Sequence, residues 1–332
     1  MREIKRSVLI LCILMLVSVH AAYAGGTSDS SAASTGGYPQ NPITITCPPA
    51  AGGGTDLLLR ALAPVLRENL GQNVLVVNKP GGGGAIGFSA AAKDKPDGYN
   101  IVALVAEVLG VTHVAEVDFS FRDFEIINMI NATYGTLTVN AKAPYNTLQE
   151  FLDYAKKNPG TVRFSNSGVG GPWHILAAAF ASQAGIDIIH IPFDGGGPSA
   201  IAVAGGHVEA TTASAQENEV HIKTGNSKLL AIFSPERDPR FPDVPTGAEA
   251  GFEGQLITVF RGFGAPKGTP PEIIKILDEA IKKTLDDPRI VDFMAKQGFT
   301  KDYLSGPDFY DLMAREDEIF RVQSKALGLG AK

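Results

Sequence analysis

Two hydrophobic periods alternate along this chain, and the switches between them are rich in glycine. From Ile43 to Cys47, β-branched and polar residues alternate, which predicts a strand. Leu58, Leu62, Val65, Leu66 and Leu70 then recur at helical spacing, and Gly71 is placed to stop that helix. Between them lies Pro49-Ala50-Ala51-Gly52-Gly53-Gly54-Thr55-Asp56, a turn with no bulky side chain near the helix start. Val74 to Val77 reads as a buried parallel strand. Lys79 to Gly84 opens an alanine-rich helix, and Lys95-Pro96-Asp97-Gly98 turns into a strand over Ile101 to Val105.

The same grammar recurs further along. Ile126 to Val139 reads as an extended segment that carries the chain into a second unit, and Thr147-Leu148-Gln149-Glu150 has capping-box spacing. Val162 to Phe164 leads through Ser165-Asn166-Ser167-Gly168-Val169-Gly170-Gly171-Pro172 to a helix over Trp173 to Gln183 and a strand over Ile186 to Ile191. Asp194 to Pro198 opens another short helix, and Val208 to Thr212 and Lys228 to Phe233 are further strands. After the proline-rich loop Ser234 to Pro245, Leu256 to Phe263 reads as an extended return to the first unit. A helix from Pro270 through Leu285 and two more helical segments close the chain. The pattern predicts an α/β protein of two lobes, with ligands collecting at the strand ends between them. Residues 42–140 and 262–332 are assigned to the first lobe and 141–261 to the second.

The N-terminus changes the picture of compartment. Met1 to Arg6 is basic, Val8 to Val19 is apolar, and Ala22-Tyr23-Ala24 has small residues at its outer positions, so residues 1–24 read as a cleavable secretory signal. Residues 25–41 read as a Gly/Ser-rich flexible linker. Loss of the signal removes a net +2 and takes the formal charge from −6 to −8. An acidic chain with no basic stripe gives nucleic acid nothing to bind. Cys47 alone remains beyond the signal, which precludes an internal disulfide in the mature chain.

Candidate chemistry is sparse. There is no Gly-x-Ser-x-Gly elbow or phosphate-binding Gly-x-x-x-x-Gly-Lys loop, and the six histidines show no metal-ligand grouping, so neither a metal nor a cofactor is expected. Gly82-x-Gly84-x-x-Gly87, with Glu107 about twenty residues on, matches a dinucleotide fingerprint. An exported dinucleotide-dependent enzyme is therefore the rival reading, although Lys79-Pro80 separates these glycines from their strand. The stronger reading takes Ala51, Gly52, Gly53 and Gly54 as an anion cradle: free amides and the helix dipole both favour negative charge at a helix start. Thr55 would offer a hydroxyl, and Asp56 a cap with access to the cleft. Glu107, an acid at the end of an apolar strand, needs a partner or solvent. Arg261, in the returning segment, suits bidentate capture of a carboxylate. His174 follows a glycine loop at a helix start and can serve either a ligand or its own fold. Trp173 can belong to the core or to the cleft edge.

Five motifs occur in order: Pro49 to Asp56; Asn78-Lys79-Pro80-Gly81-Gly82-Gly83-Gly84; Pro96-Asp97-Gly98-Tyr99; Ser167-Gly168-Val169-Gly170 with His174; and Asp243-Val244-Pro245-Thr246 with Glu249-Ala250-Gly251. Together they resemble the periplasmic solute-binding proteins of tripartite tricarboxylate transporters, the TctC or Bug family. The resemblance implies a two-lobed, hinge-closing periplasmic binding protein of type II-like architecture. It would be a monomer that is not an enzyme, capturing a small organic anion for a membrane permease or, alternatively, for a sensor. It points to Ala51 through Asp56 on one jaw, Ser167, Gly168, Val169 and Gly170 on the other, and more weakly to Gly83. Phe193 and Asp194, with the surroundings of Glu107, depart from many relatives and bear on which solute is bound.

Overall fold

A computed structural model describes residues 37–49, 51–193, 195–252 and 257–330. The signal and most of the linker lie outside the described residues. Among the described residues, eleven strands and ten helices form two open sheets with their covering layers. The first sheet has the order β2-β1-β3-β10-β4-β11, read from its β2 edge. Its strands are β1 (Ile43–Cys47), β2 (Val74–Asn78), β3 (Asn100–Val105), β4 (Phe124–Tyr134), β10 (Thr258–Pro266) and β11 (Lys301–Ser305). The second has the order β7-β6-β8-β5-β9, built from β5 (Thr136–Asn140), β6 (Val162–Asn166), β7 (Ile188–Pro192), β8 (Ala210–Thr211) and β9 (Ser227–Ile232).

The two sheets repeat one plan. In the first, β1 pairs in parallel with β2 and β3, and β10 and β4 follow antiparallel. In the second, β6 pairs in parallel with β7 and β8, and β5 and β9 follow antiparallel. Each parallel strand discharges into a helix. In the first lobe these are α1 (Gly54–Leu70) after β1, α2 (Ala85–Ala92) after β2 and α3 (Glu107–Val114) after β3. In the second lobe they are α5 (Pro172–Ala184) after β6, α6 (Gly196–Ala204) after β7 and α7 (Ala215–Lys223) after β8. The turn before α1 and the turn before α5 therefore occupy equivalent places.

Helices cover both faces of the first sheet. On one side Leu58, Leu62 and Val65 of α1 meet Ile273, Leu277 and Ile281 of α8 (Pro271–Leu285), and α9 (Pro288–Gln297) packs beside them. On the other, Phe88, Leu109, Phe309, Met313 and Phe320 are buried, the last three from α10 (Gly306–Ala326). This second core continues into the other lobe through α4 (Leu148–Lys157) and α5, where Phe151, Phe164 and Phe180 form a ring cluster. Gly71 ends α1 in the left-handed conformation, its N–H bonded to Arg67 O at 2.9 Å, and Thr147 caps α4 through the Glu150 N–H.

Several expectations shift. β2 is an edge strand and not a buried one, with Leu75 52 % and Val77 40 % exposed. Tyr134 ends the first sheet and Thr136 begins the second, so β5 joins the second sheet although residues 136–140 were expected with the first. The return strand enters the first sheet at Thr258. Glu107 does not sit in extended chain: it is the first residue of α3. Among the described residues no helix is long and apolar enough to cross a membrane.

Candidate functional site

The turn before α1 presents an exposed row of donors. No bulky side chain stands in it: Ala51, Gly52, Gly53 and Gly54 are all exposed, and the first helical bond runs from Leu57 N–H to Gly53 O. The N–H groups of Gly53, Gly54, Thr55 and Asp56 consequently have no backbone partner among the described residues, as the start of a helix requires.

Asp56 corrects one expectation. It is 3 % exposed and faces inward. Its Oδ2 accepts from Gly52 N–H at 2.9 Å, and its Oδ1 accepts from Asn78 Nδ2 at 3.0 Å and pairs with Arg60 Nε at 2.9 Å. Burial alone would raise its pKa, but the donors from Arg60, Gly52 and Asn78 outweigh that and hold it below the usual carboxylate range. Asn78 also donates to Pro49 O at 3.1 Å, so both ends of the turn are tied down. Asp56 shapes the cradle without entering it.

Thr55 leads to the centre of the site. Its hydroxyl accepts from Arg261 Nε at 3.0 Å, while Arg261 Nη1 donates to Asn131 Oδ1 at 2.7 Å and to Thr133 Oγ1 at 3.4 Å. The guanidinium lies 5.5 Å from the Phe299 ring centre. Nη2 is left without a hydrogen-bond partner among the described residues, and it lies 3.5 Å from where a Cβ on Gly54 would be. Arg261 is thus fixed in one orientation, with Nη2 alone free beside the unbonded amides of α1, and the bidentate grip expected from the sequence gives way because Nε and Nη1 are already engaged. Burial lowers its pKa, and the nearby charges of Glu107 and Glu217 oppose that shift. Thr133 and Phe299 also line a cavity of about 700 Å³ between the lobes, which Ala215 and Gln216 close from the second lobe.

The opposing turn, Ser167 to Gly171, rests on α3 of the first lobe. Gly170 has φ +76°, and a Cβ there would stand 2.6 Å from Val114, so only glycine allows this approach. Two expected ligand donors are already engaged. Gly168 N–H donates to Asn166 Oδ1 at 3.1 Å, and Gly170 N–H donates to His174 Nδ1 at 3.0 Å. His174 is 5 % exposed behind the loop and packs edge-on against His190, with ring centres 4.5 Å apart. Burial, then His190, push its pKa down to about 4, so it stays a neutral acceptor. His174 therefore positions the loop through its Nδ1. The Ser167 and Val169 amides have no partner among the described residues. Nor do the buried Ser167 Oγ and the Nδ2 of Asn166, itself 1 % exposed.

The remaining expectations divide. Phe193, half-buried, packs against Ala202, Val203 and Val208 beside α6 and so supports that turn. Asp194 and Ala50 lie outside the described residues. Gly83 is exposed, with Val111 of α3 its nearest neighbour. Trp173 is 4 % exposed and abuts Gly135 at the crossing between the sheets, which places it in the core. The glycines of the dinucleotide fingerprint follow the edge strand β2, whereas that fingerprint belongs to the turn off a central first strand. Sequence reasoning missed Asn131, Thr133, Phe299 and Glu217. Only the last had a signal, because Ser214-x-x-Glu217 is a capping box, realised here by Ser214 N–H and Oγ bonding Glu217 Oε2 at 2.9 and 2.8 Å.

The sequence that builds two equivalent glycine turns on facing lobes, with an oriented arginine between them, matches a family pattern over residues 58–324: the tripartite tricarboxylate transporter family receptor, TctC. The chain belongs to the TctC family. Among TctC relatives, protein BugT of Bordetella pertussis is 33 % identical over 87 % of this chain and 89 % of its own length. A TctC solute-binding protein from Polaromonas, solved without ligand, has a TM-score of 0.79 at 37 % identity, over 87 % of this chain and 99 % of that one. The R. palustris protein Rpa4515, solved with adipate, has a TM-score of 0.75 at 25 % identity, over 88 % and 99 %. The TctC family is made of solute-binding receptors, and the two-lobed α/β fold with its interlobe cleft is theirs.

Proposed function

We propose that this chain is an extracytoplasmic receptor that captures a small organic carboxylate between its lobes and delivers it to a tripartite tricarboxylate permease. The observation that carries this reading is Arg261, held by Thr55, Asn131 and Thr133 with its Nη2 edge free beside the unbonded amides of Gly53 to Asp56. A carboxylate there would accept charge-assisted bonds from the guanidinium and neutral ones from the helix start. Closure over it would remove water and strengthen each bond. The adipate bound by the R. palustris relative is of this chemical class. Residues 1–24 would supply export, and membership of the family supports a permease as partner.

A thermal-shift screen with mono-, di- and tricarboxylates, amino acids and nucleotides tests this. A ligand at 100 times its dissociation constant should stabilise the native state by about 2.7 kcal/mol. Arg261→Ala should abolish the response to any carboxylate that gives one. Stabilisation by nucleotides alone would sink the reading and favour the dinucleotide rival.

A further inference from the structure

We propose that the solute carries an ammonium group as well as its carboxylate, and that Glu107 receives the ammonium. This rests on the receptor reading above and narrows it to amino acids or close relatives. Three charged side chains lie within electrostatic reach of one another: Arg261 of β10, Glu107 at the start of α3 and Glu217 in the first turn of α7. Strand register accounts for the first pair, since Arg261 lies opposite Val105 and Glu107 opens the helix two residues on. Glu217 comes from the equivalent turn of the other lobe, and its charge is felt by both.

These charges do not neutralise one another by contact. Arg261 directs Nε and Nη1 at Thr55, Asn131 and Thr133, and no ion pair joins it to either acid. Glu217 has Oε2 bound to Ser214 and Oε1 against the start of α6, where a Cβ on Gly196 would collide with it. Glu107 is partly buried, and no side chain among the described residues donates to it. One guanidinium faces two carboxylates, a formal excess of negative charge, and burial raises the Glu107 pKa, which disfavours its charged form until a cation arrives. A plain dicarboxylate would deepen that imbalance in a cleft where water screens poorly. A ligand carboxylate on Arg261 with an ammonium on Glu107 adds no net charge, and gives Glu107 a charged donor beside its own backbone N–H. The adjoining cavity of about 700 Å³ leaves room for a side chain.

The test uses the mature chain and matched pairs differing only in the amine: aspartate and succinate, glutamate and glutarate, phenylalanine and 3-phenylpropionate, extended across the common amino acids. Calorimetry should find at least one amino acid that binds more than tenfold tighter than its des-amino partner. Glu107→Gln should cut that affinity more than tenfold and bring the two partners within about threefold of each other. Glu107→Asp, which keeps the charge, should retain part of the preference if the glutamine variant folds poorly. Des-amino acids that all bind as tightly as their amino partners, with or without uptake of a proton seen in buffers of different ionisation enthalpy, would overturn the assignment and leave the receptor reading standing. Binding by no member of the panel would overturn the assignment, and the receptor reading with it if the wider carboxylate screen is also silent.

Discussion

Glu316 offers the sharpest test of the hinge. It lies on α10, 1 % exposed, where its Oε1 accepts from the Thr258 N–H at 3.0 Å and its Oε2 has no partner among the described residues. Thr258 is the first residue of the return strand β10 and pairs with Tyr134, the last residue of β4, so this carboxyl holds two crossings between the lobes at once. A cavity of about 390 Å³ lies beside it, lined by Tyr134, Pro235, Asp302 and Arg315. Burial pushes the Glu316 pKa up to about 8, and the bonds from Thr258 only partly oppose this. In the unfolded chain it should titrate near an ordinary value of about 4.3. The native state then binds the extra proton between those values, so this group's contribution to stability is complete below about pH 4.3 and is lost as pH rises through about 8. By pH 7 the loss amounts to roughly 3.5 kcal/mol, at about 1.4 kcal/mol for each pH unit above 4.3. Glu316→Gln keeps the acceptor for Thr258 and cannot ionise. Urea unfolding of both proteins across about pH 4.5 to about 8.5 should show the glutamine variant gaining on the wild type by about that amount at pH 7 and levelling off above about pH 8 at about 5 kcal/mol. A difference between the two that stays constant with pH would refute the reasoning.

Two further outcomes are expected. Gly54→Val places its Cβ 3.5 Å from Arg261 Nη2 and 3.7 Å from Phe299, so the chain should fold while the added methyls cover the free edge of the guanidinium; unchanged affinity by calorimetry would remove Gly54 from the cradle. His174→Ala orphans the buried Gly170 N–H and should cost about 1–3 kcal/mol of stability along with affinity. Because burial lowers the His174 pKa to about 4, the wild type should lose stability as pH falls from about 6.5 toward 4, a slope that the alanine variant lacks.

What the sequence made legible was whatever depends on local periodicity and turn chemistry. The strand-turn-helix units around Gly52 to Gly54 and Ser167 to Gly171 stand where expected, because apolar spacing and glycine placement are encoded within about a dozen residues. Asp56 and His174 stand on the expected turns, but both are buried and bond the turns' own amides: a sequence places a side chain on an element but does not say which way a loop folds over it. Val74 to Val77 misled because an unbroken apolar run suits a buried strand, yet β2 ended at the sheet edge. Asn131, Thr133 and Phe299 could not have been found at all, since they reach Arg261 only through antiparallel pairing and packing set by the return of β10.

The bonds around Asp56 have a consequence for binding kinetics. A run of glycines free in solution samples many conformations, and freezing each residue on capture would cost about 1–2 kcal/mol of backbone entropy. With Gly52 tied to Asp56, and Asn78 tied to both Asp56 and Pro49, that ordering is completed when the chain folds and not when the solute arrives. A solute docking at this turn would therefore meet a preformed surface. Substitutions that loosen the turn, such as Asn78→Ala, should thus slow association before they hasten release.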